Sequence, residues 1–91
     1  MSGAAATHGP LRVLYVEDDP ALRGILSAIL TSRKDIEVVA TAASPREALS
    51  QAQSVDFDVA LLDLALGEDD MSGMELGKAL RAQRPTIGVV I

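Results

Sequence analysis

The chain has 91 residues, 48% of them apolar, which allows one small core and not two. A formal charge of −5 with no basic cluster argues against gripping a nucleic-acid backbone. The absence of cysteine excludes disulfides and thiolate metal sites and accords with a reducing cytoplasm, the location expected here.

Tyr15 and Phe57 are the only aromatics, so the core must be aliphatic. Met1 to Pro10 carries no Lys or Arg and no long apolar segment, unlike a secretory signal, and is expected to be a flexible leader ahead of one domain over 11–91. The lone His8 lies in that leader and leaves a structural zinc site without ligands. No apolar run approaches the roughly 20 residues of a membrane helix.

Leu11 to Val16 is a β-rich run that stops at Glu17-Asp18-Asp19 and Pro20. Pro20 fits the first helical position and Asp19 can cap from just before it. Leu22, Ile25, Leu26, Ile29 and Leu30 then form an amphipathic stripe, predicting a helix to about Arg33. A second strand is expected over Ile36 to Thr41. Ser44-Pro45-Arg46-Glu47 is a capping-box signature opening a helix through Ala48, Leu49 and Ala52. The run from Asp58 to Leu62 reads as a third strand. Ser72-Gly73-Met74-Glu75 repeats the capping logic for a helix through Leu76, Ala79 and Leu80. Pro85 ends it, and Ile87 to Ile91 is expected as a fourth strand. Strands and helices in alternation, with short connections, imply parallel strands joined by right-handed crossovers in an α/β sandwich. The strand order is left open by this pattern.

Ligands of open parallel sheets bind beyond the carboxyl ends of the strands, where the winding reverses. Glu17-Asp18-Asp19 follows the first strand and Asp63 the third, so the carboxylates converge if those strands are neighbours. Crowded anions need a neutralising partner, and magnesium, held by one or two carboxylates, waters and a phosphate oxygen, suits them. Glu17 and Asp19, each taken alone, read as solvated loop acids. Asp63, flanked by Leu62 and Leu64, reads as a carboxylate that pays for desolvation unless it is paired.

The stretch LRVLYVEDDPALRGIL, with DVALLDLAL and then MSGMEL, resembles the receiver domain of two-component response regulators. The resemblance implies a flavodoxin-like three-layer sandwich with parallel sheet order 2-1-3-4. The family's fifth strand and last two helices, with a hydroxyl residue and a Lys that contact the phosphoryl group, have no counterpart in this chain. It also implies that Asp63 is the phospho-acceptor and that Glu17 and Asp18 are the acidic pair. Asp18 would bind Mg2+ directly and Glu17 through water, with the backbone carbonyl of Ala65 as a further ligand. A histidine kinase or phosphotransfer protein would be the donor, and the domain would act as a conformational switch, catalysing at most its own phosphorylation and dephosphorylation. An output domain could lie beyond Ile91.

The pattern departs from the family in two places before its end: Gly67 stands where Pro is common, and Glu68-Asp69-Asp70 lengthens the segment before Gly73. The extra acids are expected to form a solvated turn. Ile87 to Ile91 would be an apolar edge open to pairing with another chain, which makes self-association a further expectation. Three rival functions are set against the receiver. A haloacid-dehalogenase type of phosphatase needs an acid two residues after its nucleophile, where this chain has Ala65. A calcium loop from Glu68 would end on Ala79 in place of a bidentate Glu. A degenerate receiver that only docks partners is the remaining alternative.

Overall fold

A computed structural model of the chain describes residues 9–63 and 71–91. Most of the expected leader, the Ala65 carbonyl, Gly67 and Glu68-Asp69-Asp70 therefore lie outside the described residues. Strand β1 spans Leu11–Glu17, helix α1 Pro20–Thr31, β2 Ile36–Ala42, α2 Pro45–Ser54, β3 Val59–Asp63, α3 Gly73–Gln83 and β4 Gly88–Val90. The four strands form one parallel sheet in the order β2-β1-β3-β4.

The helices begin where the capping chemistry places them. Asp19 accepts the N–H groups of Ala21 and Leu22 at 2.9 and 3.2 Å. Ser44 accepts the N–H of Glu47, whose carboxylate accepts the Ala43 N–H. Ser72 and Glu75 exchange both bonds of a full capping box, at 2.9 and 3.1 Å. Helix α1 ends at Thr31, about two residues sooner than its apolar pattern suggests: the Ser32 hydroxyl donates to the Ile29 carbonyl at 2.6 Å, and the Arg33 N–H tightens onto the Leu30 carbonyl at 3.1 Å. The fourth strand is shorter than expected, since Ile87 bonds back to the Arg84 carbonyl at 3.3 Å and only Gly88–Val90 joins the ladder.

Winding reverses between β2 and β3, so the crossovers place α2 and α3 on one face of the sheet and α1 on the other. Leu14 and Val16 of β1, with Ala60 and Leu62 of β3, point to the first face. There they join Ala48 and Ala52 of α2, Leu76 and Leu80 of α3, Phe57 and Ile87 in one aliphatic core. Val89 of β4 packs against α3 at Gly77, where a Cβ would stand 3.0 Å from Val89 Cγ1. Arg84, just past α3, closes the end of α2. Its guanidinium donates to the carbonyls of Ala52, at 3.0 and 3.1 Å, and Val55, at 3.2 Å. The same group lies 5.9 Å from the centroid of the Phe57 ring.

The second face is covered less fully. Val13, Tyr15 and Glu17 alternate onto it and are buried, and α1 lies over β1 and β2. The half-buried stripe of α1 is Arg23, Leu26, Ser27 and Leu30, not the whole apolar stripe of the sequence. Ile25 and Ile29 remain 58% and 55% exposed, and Leu22 is also exposed. The apolar arc of α1 is wider than the strip of sheet that one helix can cover.

Candidate functional site

The carboxyl ends of β1 and β3 bring the predicted acids together. In the β1–β3 ladder Glu17 is the direct partner of Asp63, one strand spacing away. Asp18 follows Glu17 on the turn into α1, and Asp19 turns aside to cap that helix. Of the acids the sequence singles out here, the side chains of Glu17, Asp18 and Asp63 therefore meet, and that of Asp19 is taken up by the cap.

The burial of these acids inverts the sequence expectation. Glu17 is a strand residue only 3% exposed, whereas Asp63 and Asp18 are exposed. Glu17 continues the inward alternation of Val13 and Tyr15, beneath the start of α1, where Arg23 donates to the Glu17 carbonyl at 2.8 Å. Asp63 points to the same face but from β3, beyond the strands that α1 covers. It therefore escapes the desolvation that its apolar neighbours suggested.

Glu17 is thus the electrostatically loaded member. Its Oε2 accepts the Asp19 N–H at 3.0 Å, while Oε1 is buried without a hydrogen-bond partner among the described residues. Burial pushes the carboxyl above its usual range, and the carboxyl groups of Asp18 and Asp63 push the same way against the Asp19 N–H. Ionised carboxylates cannot donate to one another, so their approach favours either a shared proton or a cation. Tyr15, two residues earlier on the same face, is fully buried. Its hydroxyl is pushed up to about 12 by burial, then by the charges of Glu17 and Asp63.

An all-oxygen, anionic set with one orphaned buried oxygen fits a hard divalent cation. Among the described residues no group of three His, Cys, Asp or Glu side chains is drawn up as a ready metal cage. Magnesium does not require one, because it keeps several waters and is held by one or two carboxylates.

Comparison with known proteins gives this arrangement its context. The family model for the response regulator receiver domain matches residues 13–91. The chain belongs to that family. As a receiver it is 36% identical over 81 residues to the response regulator protein VraR of Staphylococcus epidermidis, a match covering 89% of this chain and 38% of VraR. The chain thus spans well under half the length of the curated relatives it matches. Among solved structures, the chemotaxis response regulator CheY4 of Vibrio cholerae superposes with a TM-score of 0.70 at 34% identity, over 88% of this chain and 65% of that one. CheY6 of R. sphaeroides, solved in complex with the P1 domain of CheA3, gives 0.68 at 30% identity, over 90% and 62%. The flavodoxin-like fold and the 2-1-3-4 order implied by the resemblance are those of the receiver family. Receivers are generally regulatory switches of two-component systems, and in general bind Mg2+ at the phosphorylation site. Among the described residues no helix is long and apolar enough to cross a membrane.

Sequence reasoning missed two residues at or near this site. Tyr15 read only as one of two aromatics, although its place two residues before Glu17 puts both on one strand face. Arg23 was not singled out at all, although its position one turn into the helix sets it over the end of β1.

Proposed function

We propose that this receiver takes a phosphoryl group onto Asp63 from a phosphohistidine of a histidine kinase or phosphotransfer protein. A carboxylate oxygen of Asp63 attacks the phosphorus, the P–O bond forms as the P–N bond breaks, and the imidazole leaves with the electron pair and takes up a proton. The acyl phosphate later hydrolyses, returning Asp63 and inorganic phosphate. The observation that carries this reading is the pairing of exposed Asp63 with buried Glu17 across β1 and β3, with Asp18 beside them.

Exposure of Asp63 lets a bulky donor reach it, and a carboxylate, being a weak nucleophile, depends on alignment by its strand. Mg2+, when bound, supplies the positive charge that offsets the transferred group. Asp18 would hold it directly and Glu17 through water, with the Ala65 carbonyl as a further ligand. Phosphorylation adds about −1.5 to −2 charges beside the strand ends, enough to bias a two-state arrangement of the adjoining segments. CheY6 in complex with the P1 domain of CheA3 supports a donor of this class by analogy.

We assign residues 11–91 to the receiver, ahead of which 1–10 is a leader, and place the protein in the cytoplasm. The greater length of VraR supports an output domain beyond Ile91. Pairing of two copies through the β4 edge, where Val90 and Ile91 are exposed, belongs to the same proposal and is read from the oligomeric state in solution.

Incubation with Mg2+ and acetyl phosphate followed by intact mass tests the chemistry. One phosphoryl adduct on the wild type and none on Asp63→Asn is the expected result. A folded wild-type protein that gains no adduct would overturn this function and leave a docking module.

A further inference from the structure

Beneath α1 the sheet buries two polar groups that complement each other. Tyr15 and Glu17 occupy alternate positions of β1, so their side chains leave the same face about 6.6 Å apart along the strand. Both are nine-tenths or more buried, Tyr15 fully and Glu17 at 3% exposure. The Tyr15 hydroxyl is a donor without a hydrogen-bond partner among the described residues, and Glu17 Oε1 is an acceptor in the same condition. Leaving either unpaired in a water-poor layer is costly, and a rotation of the Glu17 carboxyl answers both needs at once.

We propose that Tyr15 is a positioning residue for cation capture: its buried hydroxyl donates to Oε1 of Glu17 and, with the Asp19 N–H on Oε2, fixes the carboxylate plane between two donors. The inference rests on the proposed function, since it concerns how the same acidic site receives Mg2+. A carboxylate gripped at both oxygens presents its remaining lone pairs toward Asp18 and Asp63 without a search over rotamers. It also offsets part of the desolvation that burial imposes on Glu17.

Ser27 on α1 competes for the hydroxyl, since its Oγ is also buried and without a hydrogen-bond partner among the described residues. Because α1 runs back over β1, one helical turn from Arg23 to Ser27 keeps step with two strand residues from Glu17 to Tyr15. Ser27 is a neutral hydroxyl and Glu17 a carboxylate, so the charge-assisted bond to Glu17 is the stronger.

Tyr15 is the single tyrosine and there is no tryptophan, so its near-ultraviolet band reports this one hydroxyl. In metal-free protein the Tyr15 band is expected to move to shorter wavelength in Glu17→Ala, which removes the acceptor, and to stay in place in Ser27→Ala. Calorimetric titration with Mg2+ is expected to give an affinity about three- to tenfold weaker in Tyr15→Phe than in the wild type, the range of one hydrogen bond. Wild-type binding with equal affinity in Tyr15→Phe would overturn the inference and leave the proposed function standing. A band that moves in Ser27→Ala and not in Glu17→Ala would overturn it too, by assigning the hydroxyl to α1. Absence of Mg2+ binding by the wild type would overturn the function and the inference together. If Tyr15→Phe does not fold, the spectra of the other two variants decide.

Discussion

Replacing Glu17 with Gln should stabilise the metal-free protein, an unusual outcome for a buried residue at the centre of a site. The amide is nearly isosteric, its oxygen still accepts the Asp19 N–H now held at 3.0 Å, and its NH2 can donate toward Asp18 and Asp63. What is removed is a charge that is 3% exposed and faces two other carboxylates. A buried polar group left uncompensated costs about 1–3 kcal/mol, more when charged, and because Asp18 and Asp63 are exposed and donors offset part of the burial, the lower half of that range, about 1–2 kcal/mol, is expected. Burial raises the Glu17 carboxyl above its unfolded value, so folding takes up a proton between the two values. Stability therefore falls as pH rises through that window, and the full penalty is present above the folded value. Urea denaturation in EDTA should show Glu17→Gln more stable than wild type at pH 7.5, with the gap closing toward the unfolded carboxylate value near pH 4.3. Mg2+ at ten times its Kd should then add about 1.4 kcal/mol to the wild type and distinctly less to Glu17→Gln. A metal-free Glu17→Gln less stable than wild type at pH 7.5 would refute the reasoning, because it would mean that the donors around the ionised carboxylate outweigh its burial and the two facing charges.

Two further predictions concern the scaffold that holds the site. Arg84→Lys should cost about 1–2 kcal/mol in urea denaturation, since an ammonium cannot fork onto the Ala52 and Val55 carbonyls together, which the guanidinium reaches at 3.0–3.2 Å. The Asp56 partner is 71% exposed, so a double-mutant cycle of Arg84 with Asp56→Asn should give a coupling below about 0.5 kcal/mol. Gly77→Ala gains up to about 1 kcal/mol of helix propensity, yet its Cβ would meet Val89 Cγ1 at 3.0 Å. Overpacking of about 1–3 kcal/mol makes a net loss near 1 kcal/mol the expected outcome in thermal melts, and in a Val89→Ala background the same substitution should become neutral or stabilising.

The parts of this molecule that were legible in the sequence are those set by local chemistry. Asp19, Ser44 and Ser72 carry their capping signals within a few residues, and the helices start where those signals stand. The meeting of Glu17, Asp18 and Asp63 was conditional on β1 and β3 being neighbours, which the pattern of elements left open and the receiver resemblance supplied. What was hidden depends on how much of each surface a distant element covers. The stripe of α1 predicted burial for Ile25 and Ile29, but periodicity gives the direction of an apolar arc and not the width of its partner. Arg84 drew no expectation, since nothing nearby in sequence marks carbonyls 29 and 32 residues away as its acceptors.

The same limit explains why the two paired carboxylates exchanged their expected environments. Local hydrophobicity ranked Asp63 as buried and Glu17 as solvated, and each ranking was reasonable for an isolated segment. The sheet decides otherwise, since Glu17 lies under the helix that follows it and Asp63 lies one strand farther out. That division suits the proposed phosphoryl acceptor. In that proposal the acid that another protein would reach stands in the open, and the acid that would raise the local demand for a cation is buried beside it. Exchanging their exposures would satisfy the same motif and defeat both tasks, so the relative burial of positions 17 and 63 bears on function more directly than the presence of the three acids alone.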